Sequence, residues 1–347
     1  MKKTLKIAML ATLAATPALA DTPYVAGAIR NMENPLYLPS GGEIYTKLGF
    51  GVMYKITDNN DAQKKLFHDG AEEFPIWRPT LELGYGITDR WAIHGQLGYT
   101  HNRDIERYGF HLGRLGTTFR LINREGWMWD VYGDLHMGGI QKMKGSLVDK
   151  GAGLTFNYDN YSNGRWGYHV GTRVGKVWDK WTTSAFVELL RTHGNHNNEI
   201  DLSKATIDPG NGPMPVTMMG LPEKISVDLK STAEFDFGAN AFYQINDRWS
   251  FGLGLKYIFH AQNGLMKVHT KIEDPMGRAL ADRLLNNYKE MNDRFNEFAQ
   301  SFTLAYQATD RMQISWFVEN TLDDGQRFNA NTTDFKIETA LRLNVRF

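Results

Sequence analysis

The sequence predicts an all-β chain folded as an antiparallel transmembrane β-barrel of twelve strands, and three observations carry that prediction. Apolar and polar residues alternate by two, in repeated segments; short Asp- and Asn-containing turns recur directly before a large side chain; and these turns alternate with long polar loops. Successive strand side chains face opposite ways, so each alternating segment is a ribbon with one apolar and one charged face. A soluble sandwich also alternates, but it has no reason to alternate short with long connections.

At the start of the chain, residues 1–20 read as a secretory signal peptide. Lys2, Lys3 and Lys6 form its charged region, Ile7 to Leu13 its apolar run, and Ala18-Leu19-Ala20 its small-residue cleavage site. Residues 21–42, with Asn34-Pro35-Leu36-Tyr37-Leu38-Pro39 ahead of Gly41-Gly42, are irregular and are expected to be a periplasmic leader or a plug. The barrel is expected over 43–347. Its strands are placed at 43–57, 76–87, 91–101, 108–121, 127–140, 165–177, 181–193, 226–245, 249–260, 298–307, 312–322 and 334–347.

The pattern is clearest in 249–260, where Trp249, Phe251, Leu253, Leu255, Tyr257 and Phe259 share one face opposite Ser250, Lys256 and His260. In 334–347, Phe335, Ile337, Leu341, Leu343, Val345 and Phe347 likewise oppose Lys336, Glu338, Arg342, Asn344 and Arg346. An even strand number leaves both ends of the chain on the periplasmic side. Residues 150–160 alternate too and are taken as an extension of the hairpin around 141–164. Were they to span the membrane, 199–207 would have to partner them, giving fourteen strands.

The expected tight turns include Ile87-Thr88-Asp89-Arg90-Trp91, Asn123-Arg124-Glu125-Gly126-Trp127, Trp178-Asp179-Lys180-Trp181 and Ile245-Asn246-Asp247-Arg248-Trp249. Trp91, Trp127, Trp181 and Trp249 each open a strand and would lie at one level as an interface girdle. The long loops fall at 58–75, 194–224 and 261–297. Within the last, Leu280, Leu284, Leu285, Tyr288, Met291, Phe295 and Phe298 recur at helical spacing, and Asp274-Pro275 is a helix start. An amphipathic helix over 276–299, in an extracellular loop, follows.

Composition limits the alternatives. The 347 residues hold 39 basic and 39 acidic side chains; without the signal there are 36 against 39, which argues against a nucleic-acid partner. Zero cysteines exclude a disulfide framework and thiol chemistry. Mean hydropathy is −0.43, and beyond the signal no apolar stretch reaches the roughly 20 residues of a spanning helix. The polar average is what a barrel gives when half of each strand faces water.

With its signal, its alternating strands and a terminal Leu341-Arg342-Leu343-Asn344-Val345-Arg346-Phe347, the chain resembles bacterial outer-membrane β-barrel proteins of the porin-like kind. That resemblance implies an outer-membrane location in a Gram-negative cell, contact with outer-membrane lipid, and Phe347 as the signal read by the barrel-assembly machinery. It does not extend to an individual family, and it leaves the oligomeric state open.

Alternation marks the lumen-lining candidates: Lys47, Lys55, Arg78, Glu82, His94, Arg120, Asp130, Asp134, His136, His169, Arg173, Glu188, Lys230, Glu234, Asp236, Lys256, Glu319, Lys336, Glu338, Arg342 and Arg346. Such charges must be paired or hydrated, so the lumen is either a polar channel or a barrel filled by its own ion pairs. Near-balance of sign predicts weak charge selectivity. Asn160-Tyr161-Ser162-Asn163-Gly164-Arg165 resembles the His-x-Ser-Asn-Gly-Arg string of outer-membrane phospholipase A, with Ser162 in the nucleophile's place. Asn160 stands where the base should be, however, and a serine without a base is a poor nucleophile. His193-x-x-His196 has no third ligand nearby. No catalytic residue, metal or cofactor is therefore assigned. The expectation is a channel for passive diffusion of small polar solutes, with a phospholipase-like hydrolase and a non-conducting anchor or adhesin barrel as rivals.

Overall fold

A computed structural model describes residues 31–57, 76–102, 107–138, 141–149, 154–162, 164–262, 266–291, 296–323 and 334–347. Twelve antiparallel strands form the wall: β1 (Ile44–Thr57), β2 (Ile76–Thr88), β3 (Trp91–Asn102), β4 (Arg107–Arg124), β5 (Trp127–Gly138), β6 (Trp166–Trp178), β7 (Trp181–Thr192), β8 (Thr232–Gln244), β9 (Trp249–Gln262), β10 (Glu297–Gln307), β11 (Met312–Asp323) and β12 (Asp334–Arg346). Each pairs with its neighbours in sequence, and β1 pairs with β12 from Tyr45 opposite Arg346 to Thr57 opposite Asp334. The sheet therefore closes with no free edge, which removes the unpaired backbone groups that a bilayer cannot satisfy.

The two faces separate as the alternation requires. Leu115, Leu135 and Met137 are 67%, 62% and 68% exposed, and Phe50, Val187, Leu253, Leu255 and Trp316 join them on the outside. Water-exposed proteins do not sustain an apolar surface of this extent, so the outer face is built for lipid. Facing inward on the same strands are Arg120, Asp130, Asp134, His136, Ser250, Gln313, Ser315 and Asn344, all buried.

The two ends differ. At one, the strands are joined by tight turns at 89–90, 125–126, 179–180, 245–248 and 308–311. Glu125 and Gly126 have φ of 53° and 79°, the pair of positive values that a two-residue hairpin needs to follow strand twist. At the other end, long connections build structure of their own. Gln141–Asp149 and Leu154–Ser162 form a hairpin that extends the wall above β4, and Thr206–Asp208 pairs with its second arm.

Asn195–Asp201, Lys224–Leu229 and Met266–Val268 form a separate three-stranded sheet at that end. Helix α1 (Pro275–Met291) follows, and the Asp274 carboxylate accepts the Met276 and Gly277 N–H groups at 2.8 and 2.9 Å as its N-cap. Ile207, Val216, Leu221, Val227, Ile272 and Leu280 close around one another as a second hydrophobic core.

Several expectations change in detail. The strand placed at 226–245 is two: Lys224–Leu229 belongs to the separate sheet, and the wall resumes at Thr232. The break at Lys230 and Ser231 lets the chain leave one sheet for the other, although alternation runs through it. Residues 199–207 do not span: 199–201 join the separate sheet opposite 224–226, and Thr206–Asp208 pair with the 154–162 arm, so the count is twelve. The helix is described over Pro275–Met291, residues 297–299 of the expected helix belong instead to β10, and residues 292–295 and the loop at 58–75 lie outside the described residues.

Candidate functional site: the lumen and its seal at the tight-turn end

The inward groups meet in ion-paired clusters. Asp130 accepts Arg120 Nε at 2.7 Å and Arg120 Nη2 at 3.1 Å, a bidentate pair, and Arg173 Nη2 adds a third bond at 3.0 Å. Next to it, His169 Nδ1 lies 2.8 Å from Asp134, its Nε2 lies 3.4 Å from Glu188, and Tyr132 donates to Glu188 at 2.5 Å. Further round, Lys47 faces Glu82 at 4.0 Å, Arg78 faces Glu338 at 3.3 Å, Lys256 faces Asp236 at 3.9 Å, and His260 faces Glu234 at 3.5 Å. Glu319 is the register partner of Glu338, so two carboxylates sit side by side near Arg78. The Arg342 guanidinium also lies 4.1 Å from the Phe317 ring centre.

Residues 31–42 cross the lumen at the tight-turn end and are held by strands all around the wall. Asn31 donates to Ser250 at 2.7 Å and accepts from Gln313 at 2.6 Å. Asn34 donates to Thr182 at 2.9 Å while its carbonyl caps the Leu36 N–H. Glu33 takes Arg342 at 3.1 Å, Asn344 at 2.8 Å and Ser315 at 2.8 Å. Arg120 Nη2, besides gripping Asp130, donates to the Leu36 carbonyl at 2.6 Å.

Leu36 is fully buried against Met128 and Val177, and it fits because residue 175 is glycine: a Cβ there would stand 2.8 Å from a Leu36 methyl. Gly86 is needed likewise, since a Cβ would stand 1.9 Å from the Ser40 carbonyl oxygen. For Glu33, burial pushes the carboxyl upward, but Arg342 and Lys47 with the Asn344 and Ser315 hydrogen bonds outweigh it and hold it below the usual range.

The predicted residues fall as follows. Lys47, Arg78, Glu82, His94, Arg120, Asp130, Asp134, His136, His169, Arg173, Glu188, Glu234, Asp236, Lys256, Glu319, Glu338 and Arg342 all stand at inward positions of the wall. Lys230 does not: it is exposed in the connector between the two sheets, where its carbonyl accepts Arg165 at 2.9 Å. The side chains of Lys55, Lys336 and Ser162 lie outside those described. Trp91, Trp127, Trp181 and Trp249 each follow a tight turn with exposed rings, and Phe347 is exposed beside Ile44 at the barrel seam.

His193 packs on Trp166 at 4.0 Å, away from His196, which faces Asp228 at 3.3 Å. Among the described residues no group of three potential ligands is placed to hold a metal. Asp130, Asp134 and His136 share a face but not a partner: His136 bonds Thr192 at 3.1 Å.

Sequence reasoning missed Arg114, 3.9 Å from Asp134, and Tyr132. Alternation from Arg120 and Asp130 marks both. It could not have marked Asn31, Glu33 and Asn34, which have no periodicity around them.

No protein-family model matches the chain. Among solved structures, an outer-membrane channel from Pseudomonas putida F1 superposes with a TM-score of 0.50 at 11% identity, over 95% of this chain and 100% of that one. A deletion mutant of the monoaromatic hydrocarbon channel TodX superposes with a TM-score of 0.52 at 10% identity, over 92% and 94%. The fold is that of a bacterial outer-membrane β-barrel. At such low identity the likeness concerns architecture, because this architecture hosts many activities.

Proposed function

We propose that the protein is an outer-membrane channel for small polar solutes, closed at its periplasmic end by residues 31–42. The observation that carries this reading is the ion-paired inner wall: charged groups of both signs line it, and such a wall favours hydrated over apolar cargo. Paired signs give little net field, so discrimination between small anions and cations is weak. The leader is held at the tight-turn end by hydrogen bonds and ion pairs, which water can replace, around one small apolar contact, Leu36 on Met128 and Val177. Solute entry therefore depends on the leader yielding. No catalytic role is proposed for any residue. Phe347 serves as the assembly signal, and the four strand-opening tryptophans as the periplasmic girdle.

Reconstitution tests the proposal. Full-length protein in planar bilayers is expected to give small, brief currents, and deletion of residues 31–40 is expected to give larger, sustained ones with little ion preference. Folded protein that conducts in neither form would end the channel reading.

A second reading follows from the name of the TodX structure, a hydrocarbon channel of similar architecture. Liposomes loaded with a small sugar and, separately, uptake of toluene discriminate the two. Toluene uptake without sugar permeation would replace polar cargo with apolar cargo.

A further inference from the structure

The outer wall carries a feature that conduction does not use. Outward positions on β5 to β11 surround a cavity of about 1070 Å³ on the lipid-facing side, at the upper end of the range for pockets that hold whole ligands. Register explains its shape. Lys176, Thr183, Ala241 and Leu253 pair successively across strands, and so do Val174, Ala185, Ala239 and Leu255 in the next outward row. The middle of both rows is small: Thr183, Ala185, Ala239 and Ala241.

The rows on either side are large. Trp181, Tyr243 and Phe251 contact one another on the tight-turn side, with ring centres 4.6 and 5.7 Å apart, and Phe237 meets Tyr257 at 5.2 Å on the other. The floor of small side chains thus lies between two aromatic ridges. The whole lining, from Trp127 on β5 to Asn320 on β11, crosses seven strands at about 4.8 Å spacing, so the trough runs for roughly 30 Å and climbs away from the tight-turn end. The amides of Gln300 and Asn320, register partners, stand at its far end.

We propose that this trough binds one glycerophospholipid of the periplasmic leaflet, its acyl chains on the alanine floor and its phosphate at Lys176. Three facts select that occupant. The trough faces hydrocarbon, so something apolar must fill it. Among the described residues its only charged lining residue is Lys176, stacked 5.1 Å over the Trp127 ring where β5 and β6 reach the tight-turn edge. No carboxylate among the described residues pairs with that ammonium, so an anion at the headgroup level completes it. Tight turns face the periplasm in this class of barrel, and the periplasmic leaflet is the one made of glycerophospholipid.

The test uses the full chain, purified in detergent, stripped of lipid and titrated with palmitoyl-oleoyl phosphatidylglycerol under native mass spectrometry. One lipid per barrel is expected. Lys176→Gln is expected to weaken binding about tenfold, while Lys180→Gln, in the neighbouring turn, leaves it unchanged. Ala239→Phe with Ala241→Phe fills the floor and is expected to abolish binding, and Ala241→Leu alone to weaken it. Heat-dependent gel migration checks that each variant is folded, and the single substitution stands in if the double variant is not. Binding unchanged by filling the floor overturns the proposal. So does equal binding of glycerophosphoglycerol without chains, which would mark a bare phosphate site, or a wild-type dimer that the filled variant loses, which would make the trough an interface between copies.

Discussion

The two ends of the barrel carry structure of opposite chemistry. At the tight-turn end, residues 31–42 sit among buried polar groups, gripped by Arg120, Thr182, Ser250, Gln313, Ser315, Arg342 and Asn344. At the long-loop end, a small sheet and α1 enclose an aliphatic core that owes nothing to the lumen. A polar seat fixes one geometry through directed bonds and can be exchanged for water; an aliphatic core is held by its own burial and does not respond to charge. Under the proposed function, opening belongs to the first end, whose contacts water can replace, and not to the second.

The largest expected effect breaks the polar seat. Arg120→Ala leaves Asp130 buried with Arg173 alone and frees the Leu36 carbonyl, and removing one partner of a buried pair costs about 3–5 kcal/mol. The urea midpoint of the folded barrel is expected to fall, together with a rise in conductance; a normal midpoint with normal current would show that the seat does not depend on this ion pair.

Next comes the other core. Ile207→Ala, at a fully buried site, is expected to cost about 2–5 kcal/mol locally. Limited proteolysis should then cut within 199–229 while the barrel band and its conductance persist. Loss of the whole barrel would mean that the two regions are coupled.

Glu33 sharpens the contrast further. Because its carboxyl is held below the usual range, its contribution to seating the leader is present in full above about pH 4.3 and is lost as pH falls through the depressed value. Current through wild-type protein is expected to rise on acidification below the ordinary glutamate range, and Glu33→Gln to raise current at neutral pH and flatten the acid response. An acid response identical in the variant would move the titrating group elsewhere. The smallest effect is expected at Glu199→Gln, which breaks the exposed Lys224–Glu199 pair on the separate sheet; melting and conductance should both be unchanged.

Much of this was readable along the chain. Period-two alternation gave the twelve strands and their faces, and the short turns before Trp91, Trp127, Trp181 and Trp249 gave strand starts. Helix α1 was marked by Asp274-Pro275 and by leucines at helical spacing. Lys230 misled because alternation does not record where a chain changes sheets. The leader was legible only as irregular: Asn31, Glu33 and Asn34 act singly, each on a strand more than a hundred residues away.

By itself, then, the sequence determined the barrel, its outward and inward residues and its two kinds of connection, because these rest on neighbours along the chain and on a period of two. What the inward charges pair with, where the leader sits, and that small side chains of the adjacent strands β7 and β8 line up in the middle of one trough emerge only in three dimensions. Those facts depend on strand register and barrel closure, which bring together residues that no local spacing relates.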